Sequence, residues 1–368
     1  MARPRRTQLP QSIQAAISAG NGLVSADGPH ARQQLHVLHR EGLLLKLAHG
    51  QYTAPGFWAE LGEWDQYALA SHAYQLSCGS GTYLAGWSAA TLNGLPLLGR
   101  PPQLPEAVHP KPKPRGAQRG RFGRTRRERV PDRHLRDYNG IPATGAGYTT
   151  STIALTASLP IALAVGDNAL RRGANVRTTL PDFKGRTGVA RARFVGDYAT
   201  PLAESPLESL GRFAAYAGGL PLPIPNAWVG DGRPLFRVDG LWPWHWAGFE
   251  ADGAVKYNSR ADAALIVANQ QEREWVLRRL GLDLCRYGWA RAFNNIDELT
   301  KRFARLLADN PVRDEPIRWW KHDPVLGPVE PEAADWPSAD PSGIILPPRW
   351  WVDHRYHEST YGGQRKPA

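Results

Sequence analysis

Cysteine is scarce in this 368-residue chain, which contains only two. Cys78 and Cys285 lie in separate segments and form no C-x-x-C motif, which excludes a disulfide framework and a cysteine-rich zinc site. No run of about eighteen apolar residues is present, so no membrane span is predicted. The basic start MARPRR is followed by no apolar stretch of the kind that a signal peptide needs. We therefore expect a protein of the cytosol.

Acidic residues are also outnumbered, with 34 Asp and Glu against 45 Lys and Arg and a formal net charge of +11. A basic surface concentrates polyanions by simple electrostatics, so nucleic acid is the first partner to consider. A membrane surface is the weaker alternative. At roughly 150 residues per domain, the length predicts two or three domains, each large enough to bury a core.

Residues 1–55 have the pattern of a winged-helix DNA-binding domain. Helices are predicted over residues 10–19 and 29–41, followed by two short strands in residues 43–52. The stretch 23–28 is short for a middle helix, which we expect to be reduced to a turn. The predicted DNA contacts are polar side chains of the second helix and of the wing: Arg32, Gln33, His36, Arg40 and Lys46. A helical hairpin without a ligand is the alternative.

Residues 56–195 predict a mixed middle domain with helices over residues 83–98, 149–158 and 160–172. It contains a basic segment, residues 111–129, in which Glu128 is the only acid. Such a composition predicts a solvated, flexible loop, and arginine-rich loops suit phosphate contacts that position a protein without reading sequence. The predicted DNA contacts in this segment are Lys111, Lys113, Arg115, Arg119, Arg121, Arg124, Arg126 and Arg127.

Residues 200–309 predict a domain with the element order α-βββ-α-β-α, so that the whole chain is a multidomain protein of the α+β or α/β class. The predicted elements are a helix over 205–216, strands over 222–229, 235–241 and 246–252, a helix over 261–280, a strand over 282–287 and a helix over 296–307. Pro223 and Pro225 would confine the first strand to a sheet edge. The tail, residues 310–368, is rich in Pro and Trp, and we expect it to pack on the domains or to be partly disordered.

The hairpin RVDGLWPWHWAGFEADGAVKY, residues 237–257, is the candidate site. Its turn would bring Asp239 beside Glu250 and Asp252, and strand alternation places these last two on one face. Like charges held close are costly without a counter-ion, which favours a divalent metal that takes hard oxygen ligands. Lys256 would contact the scissile phosphate or orient water. The alternative is a solvated edge with a surface ion pair.

Glu208 adds a fourth acid on the preceding helix, although Ser205-Pro206-Leu207-Glu208 also has the pattern of a capping box. The order helix-Glu, strand-Asp, strand-Glu-x-Asp, helix, strand resembles the PD-(D/E)XK nuclease superfamily, and in particular small bacterial domains related to Vsr mismatch endonucleases. The resemblance implies Asp239 and Glu250 as ligands of Mg²⁺ or Mn²⁺, with Glu208 as an auxiliary ligand through water. Asp252 with Lys256 would replace the usual E-x-K ending, since the lysine stands six residues after Glu250 rather than two.

The upstream part resembles actinobacterial proteins of the AbiEi abortive-infection antitoxin family. The similarity lies in the N-terminal pattern, in GWSAA and GLPL (residues 86–90 and 94–97), and in AVGDNALRRG (residues 164–173). It implies a bacterial cytosolic protein that binds double-stranded DNA, with a cognate toxin as a further partner and no small-molecule cofactor or membrane. Two functions stay open at this point: a metal-dependent endonuclease, and an antitoxin or repressor with a catalytically silent nuclease-like domain. RNA is a weaker alternative substrate.

Overall fold

The computed structural model describes residues 8–111, 117–253 and 272–351 of the chain. The chain is a mixed α and β protein that divides into two compact units. Unit 1 comprises the described residues of Met1–Ala157 and Thr178–Val189, and unit 2 comprises those of Ser158–Arg177 and Ala190–Trp351. The four-part division inferred from the sequence stays a prediction.

Unit 1 begins with two helices and a three-stranded antiparallel sheet of order β1-β3-β2. These elements are α1 (Gln11–Ala19), β1 (Val24–Ser25), α2 (Pro29–Arg40), β2 (Leu45–Ala48) and β3 (Gln51–Thr53). Leu35 and Leu38 of α2 are buried with Ile17 and Tyr52 in one core. Both helices and the hairpin agree with the sequence prediction. The stretch between the helices forms β1, paired with β3, where a reduced helical turn was expected.

The remainder of unit 1 builds a six-stranded sheet of order β6-β7-β5-β4-β9-β8 with helices against it. The elements are α3 (Pro55–Glu60), α4 (Glu63–Ser77), β4 (Tyr83–Leu84), α5 (Gly86–Asn93), β5 (Glu106–Pro110), β6 (Ala117–Arg119), β7 (Arg124–Glu128), β8 (Leu135–Tyr138), β9 (Ile141–Thr144) and α6 (Ala146–Ala154). The helix predicted over residues 83–98 is shorter than expected. It stops where Gly94 adopts a left-handed conformation with φ 65°.

The basic segment is not a flexible loop in its described part, which corrects the sequence expectation. β6 and β7 form a hairpin, and β7 also pairs in parallel with β5. At its tip, Phe122 packs against the apolar cluster that contains Leu47 and Ala73. A side chain at Gly123 would overlap the ring of Tyr74, whose hydroxyl lies 2.8 Å from Thr125 Oγ1. Anchoring by this apolar tip orders a segment whose charge alone suggested disorder. Lys113 and Arg115 lie outside the described residues.

The described residues of unit 2 build a six-stranded sheet of order β13-β12-β11-β10-β14-β15, in which β12 and β13 are parallel and the other neighbours antiparallel. Its elements are α7 (Leu159–Arg171), α8 (Val189–Tyr198), α9 (Pro206–Ala217), β10 (Ile224–Val229), β11 (Phe236–Trp242), β12 (Ala247–Asp252), the helical residues 272–279 (α10), β13 (Asp283–Gly288), α11 (Trp289–Asn294), α12 (Ile296–Asp309), β14 (Trp319–Asp323) and β15 (Gly327–Val329). The strands and the terminal helices agree with the predicted order to within about two residues. Of the helix predicted over 261–280, residues 261–271 lie outside the described residues.

The tail supplies β14, which adds to the sheet beside β10. The prediction that prolines confine the first strand to an edge is therefore wrong. β14 pairs with Trp228 and Val229, beyond Pro225, so the ladder avoids the position that lacks an N–H. Trp319 of this strand is 1% exposed. Trp336, further along the tail, packs against the core cluster that contains Trp319, so the described tail is part of unit 2.

An aromatic core fills the space between the sheet of unit 2 and helices α9 and α12. Phe249 stacks on Phe303 with ring centroids 5.1 Å apart, and Trp242 and Tyr287 meet both rings edge-on or tilted. The Tyr287 hydroxyl donates to the carbonyl of Leu207 at 3.0 Å, which ties β13 to the start of α9. In the part of the chain that the structure describes, no helix is long and apolar enough to cross a membrane.

Candidate carboxylate site in unit 2

The site begins where β11 and β12 diverge. These strands pair from Gly240 to Trp242, and among the described residues their ladder stops at the pair Gly240 and Phe249. Beyond that point β11 remains paired with β10, whereas β12 remains paired with β13. The carboxylate of Asp239 spans the gap, because its Oδ2 accepts a hydrogen bond from the Ala251 N–H at 2.7 Å. A side chain thus replaces a backbone partner and is fixed in position between the two strands.

Asp239 is electrostatically strained. Burial, together with the neighbouring carboxylates of Glu208 and Glu250 and against the opposing effect of the Ala251 N–H and Arg273, raises the pKa of its carboxyl from 3.8 to about 7. The carboxylates of Glu208 on α9 and Glu250 on β12 therefore lie near enough to Asp239 on β11 to affect its ionisation. A buried acid with a strongly raised pKa beside other acids is typical of a functional site.

Glu208 is held at the start of α9 by two donors. Its Oε2 accepts from the Glu204 N–H at 2.8 Å and from Asn226 Nδ2 at 2.7 Å. Its own N–H donates to Ser205 Oγ at 3.2 Å, so the serine caps the helix as the S-x-x-E pattern predicts. In a capping box the Glu208 carboxylate would accept from the Ser205 N–H. It accepts from the Glu204 N–H instead, so the capping box is not complete. The Glu208 carboxylate therefore accepts hydrogen bonds beside the start of α9 and also lies close enough to Asp239 to raise its pKa.

Glu250 is 4% exposed and lies between two arginines. Arg273 of α10 places Nη2 2.5 Å from Oε1, and Arg286 of β13 places Nη2 3.0 Å from Oε2. Arg286 is the cross-strand neighbour of Glu250 in the parallel register of β12 and β13. Burial raises the pKa of the Glu250 carboxyl, the two arginines lower it, and Asp252 and Glu274 raise it. Glu250 is thus neutralised by cations of the chain itself.

The remaining predicted residues differ in placement. Asp252 is exposed at the end of β12, near enough to influence Glu250. Lys256 lies outside the described residues. Within residues 8–111, 117–253 and 272–351, no group of three His, Cys, Asp or Glu is arranged to hold a metal ion. The described geometry therefore supplies neighbouring carboxylates without a closed three-ligand cage.

Sequence reasoning missed the cations and the tail residue around this cluster. Arg237 donates from both terminal nitrogens to the carboxylate of Glu204 at 2.7 Å, and its Nη1 lies 3.0 Å from His322 Nε2. His322 comes from β14, so the tail reaches the margin of the site. The pairing of Arg286 with Glu250 follows once β12 and β13 are aligned in parallel, because the two residues are then directly opposite. The contact of His322 had no local signal in the sequence.

The described predicted DNA contacts of unit 1 fall on one helix and two hairpins, apart from Lys111, which follows the end of β5. Arg32, His36 and Arg40 recur every four residues on α2, and these three side chains and Gln33 are exposed. Arg32 lies close enough to Tyr52 to oppose the rise in its pKa that burial causes. The positive charge of Arg32 on α2 therefore lies near the β2–β3 hairpin, to which Tyr52 belongs.

Phe122 joins that hairpin to the basic hairpin. Lys46 Nζ lies 5.6 Å from the centre of the Phe122 ring and 6.0 Å from that of Tyr52, and the Arg121 guanidinium lies 5.4 Å from Phe122. Cations that stack on an aromatic ring keep their charge while their stems are ordered. The other predicted contacts divide into an exposed group, Lys111, Arg119, Arg121 and Arg127, and a half-buried pair, Arg124 and Arg126.

No protein-family model matches this chain. The chain is similar to two uncharacterized proteins of Mycobacterium tuberculosis, Rv2248 of strain H37Rv and MT2308 of strain CDC 1551, with 29% identity to each over 220 residues. The similarity covers 58% of this chain and 74% of each relative. What these comparisons provide is a similarity to mycobacterial proteins, with no activity attached to it.

Proposed function

We propose that this chain is a DNA-binding protein whose unit 2 carries a metal-dependent, phosphodiester-hydrolysing site of the PD-(D/E)XK kind, serving bacterial defence or a toxin-antitoxin system. The observation that carries the proposal is Asp239, which lies in the gap between two diverging strands with its pKa raised to about 7 by burial and by Glu208 and Glu250. Keeping such an acid ionised near neutral pH requires a cation.

The proposed ligand of these carboxylates is a hard divalent ion. Mg²⁺ is commonly bound through one or two carboxylates with water in the other positions, so Asp239 and Glu250 would hold it, with Glu208 acting through water. Among the described residues, buried Glu250 Oε1 has no hydrogen-bond partner, although it is paired in charge with Arg273. A bound Mg²⁺ or Mn²⁺ would supply an activated water and would neutralise charge that develops on the phosphate.

The chain itself orients these acids. The Ala251 N–H fixes Asp239, and the Glu204 N–H and Asn226 fix Glu208. Asn226 is buried with a positive φ of 53°, a conformation uncommon outside glycine, which directs its amide to Glu208. Preorganised ligands of this kind reduce the cost of assembling a site on binding. Lys256 remains the predicted phosphate contact.

Hydrolysis is tested by plasmid nicking in Mg²⁺ or Mn²⁺ with the full chain and Glu250→Gln. We expect the variant to lose at least about 100-fold in rate, because an amide cannot replace a charged metal ligand. Glu298→Gln is the matched control, since Glu298 forms an exposed i,i+4 pair with Arg302 on α12. Equal nicking by the wild type and Glu250→Gln, or no nicking by the wild type with either metal, would contradict hydrolysis.

Unit 1 supports the DNA-binding half of the proposal, as a winged helix in which α2 is the recognition helix and the basic hairpin contacts phosphates. Binding of a duplex by Arg32→Ala/Arg40→Ala should weaken, and the slope of log K against log salt should fall by about one for each phosphate interaction that the substitutions remove. Fluorescence anisotropy at several salt concentrations measures both. Arg278→Ala is the control, because this exposed arginine lies on α10 of unit 2. An unchanged slope would remove α2 from the interface.

A second candidate, an AbiEi-type antitoxin or repressor with a silent nuclease-like domain, is favoured by a different observation. Arg273 and Arg286 already neutralise Glu250, as they would in a site that has become a binding platform for DNA or a cognate toxin. This function predicts a sequence-specific footprint near the protein's own promoter that persists in Asp239→Ala and in EDTA. A footprint that disappears on chelation would argue against it.

A further inference from the structure

Two guanidinium groups share one buried carboxylate beside the proposed metal site. Arg273 approaches Glu250 from α10 and Arg286 approaches it from β13, at 2.5 and 3.0 Å. The side chains of both arginines are more exposed than that of Glu250, at 32% and 25% against 6%. The cations therefore close the site from the solvent side, and the carboxylate lies beneath them.

The contacts match in charge but not in hydrogen-bond geometry. Strong arginine–carboxylate pairs are bidentate, with two aligned N–H donors. Three atoms here are buried and make no hydrogen bond of acceptable geometry within the part of the chain that the structure describes: Glu250 Oε1, Arg273 Nε and Arg286 Nη2. Unsatisfied buried donors are costly, so these ion pairs are weaker than their short distances suggest. The donors are available to a ligand with better-placed oxygens.

Each arginine has a second contact that would keep it near the site. Arg273 Nη2 donates to the carbonyl of Arg237 at 2.5 Å, and Arg286 Nη1 lies 3.9 Å from Glu274 Oε2. Loss of Glu250 as a partner would therefore release donors without releasing the side chains. A phosphodiester presents two anionic oxygens, and the planar donor fork of arginine is suited to such groups.

We propose that Arg273 and Arg286 are exchangeable counter-ions of Glu250: a divalent cation replaces their combined charge, and the released guanidinium groups bind the phosphodiester. The inference rests on the proposed function and names a phosphate-binding pair that neither Lys256 nor the basic hairpin provides. It makes metal and phosphate binding mutually supportive. Without phosphate the displaced arginines oppose the metal, and with phosphate their charge is neutralised, so each ligand strengthens the other.

The test is Mn²⁺ binding by isothermal titration calorimetry with the full chain, which needs no turnover. The variants are Arg273→Met/Arg286→Met and, to preserve folding, each single substitution. We expect the double variant to bind Mn²⁺ about tenfold more tightly or better, since coupling between sites is commonly 5- to 150-fold. Arg279→Met is the matched control, because Arg279 is an exposed arginine of the same helix whose guanidinium lies 4.8 Å from the centre of the Trp275 ring. It should change the Mn²⁺ affinity by less than about twofold.

Dimethyl phosphate, a small phosphodiester, is the second probe. At millimolar concentration it should strengthen Mn²⁺ binding to the wild type and leave the double variant unaffected. Wild-type Mn²⁺ binding that requires Glu250 but does not change in the arginine variants would overturn the exchange and leave the proposed hydrolysis standing. An equal gain in Arg279→Met would reduce the effect to net charge and also overturn it. Absence of Mn²⁺ binding in every variant would overturn both.

Discussion

Replacing Arg212 by alanine lowers the free energy of unfolding of unit 2 by about 3–5 kcal/mol, the usual cost of leaving a buried charge unpaired. Arg212 of α9 is 4% exposed, and its Nη1 donates to Asp167 of α7 at 2.6 Å. Its Nη2 donates to the Tyr198 carbonyl at 2.7 Å and to the Tyr216 hydroxyl at 2.6 Å. The substitution removes all three bonds and leaves the Asp167 carboxylate, 1% exposed, without its cationic partner, although the Thr200 N–H still donates to it.

Urea denaturation followed by tryptophan fluorescence measures this loss, because most of the tryptophans lie in unit 2. The double variant Asp167→Leu/Arg212→Met should be more stable than Arg212→Ala, since removing both charges abolishes the unpaired one. Arg302→Ala, which breaks an exposed pair with Glu298, should cost less than about 0.5 kcal/mol. A decrease below about 1 kcal/mol in Arg212→Ala would show that the pair does not hold α7 to α9.

Replacing Asp239 by asparagine stabilises the metal-free protein at alkaline pH. Burial, reinforced by Glu208 and Glu250, raises the pKa of Asp239 from 3.8 to about 7, so the folded state resists its ionisation. The linkage between proton binding and folding limits the gain in the free energy of unfolding to about 4 kcal/mol for a shift of this size. We expect a gain of about 2 kcal/mol at pH 8, because the side chain keeps some contact with solvent. Asparagine retains an oxygen that can accept from the Ala251 N–H.

The sign follows from the direction of the shift. A group whose folded pKa is raised contributes stability below its unfolded pKa, and that contribution is lost as pH rises through the folded value. The wild type should therefore lose stability relative to Asp239→Asn between about pH 4 and 7, with equal stabilities below pH 4. Urea titrations in EDTA across this range measure the difference. Destabilisation by Asp239→Asn at pH 8 would show that Asp239 is a structural partner and not a strained acid.

Local pattern was sufficient for much of the secondary structure. The helical spacing of Ile13, Ala16 and Ile17, the Ser205-Pro206 start and the alternation around Glu250 predicted α1, α9 and β12, because these features depend on neighbours within about four residues. Glu208 and Glu250 both raise the pKa of Asp239, so these two carboxylates lie near it. The role of the three acids in one site stays a prediction.

Elements that depend on distant partners were predicted less well. The basic segment looked disordered because its charge dominates its composition, yet Phe122 and Tyr74, far apart in sequence, order it. The tail looked peripheral because Pro and Trp obscure the strand pattern, yet β14 extends the sheet beside β10. Pro225 on its own indicates an edge strand. β10 is nevertheless internal, because β14 pairs with it only at Trp228 and Val229, after the proline.

The sequence by itself determined the charge, the local helices and strands, and the order in which four acids follow one another. Only the tertiary structure decided which charges meet. The parallel register places Arg286 opposite Glu250, the position of α10 adds Arg273, and the divergence of β11 and β12 fixes Asp239 on the Ala251 N–H. The physical reason is that burial and Coulomb forces act over a few ångströms in space and are independent of separation along the chain.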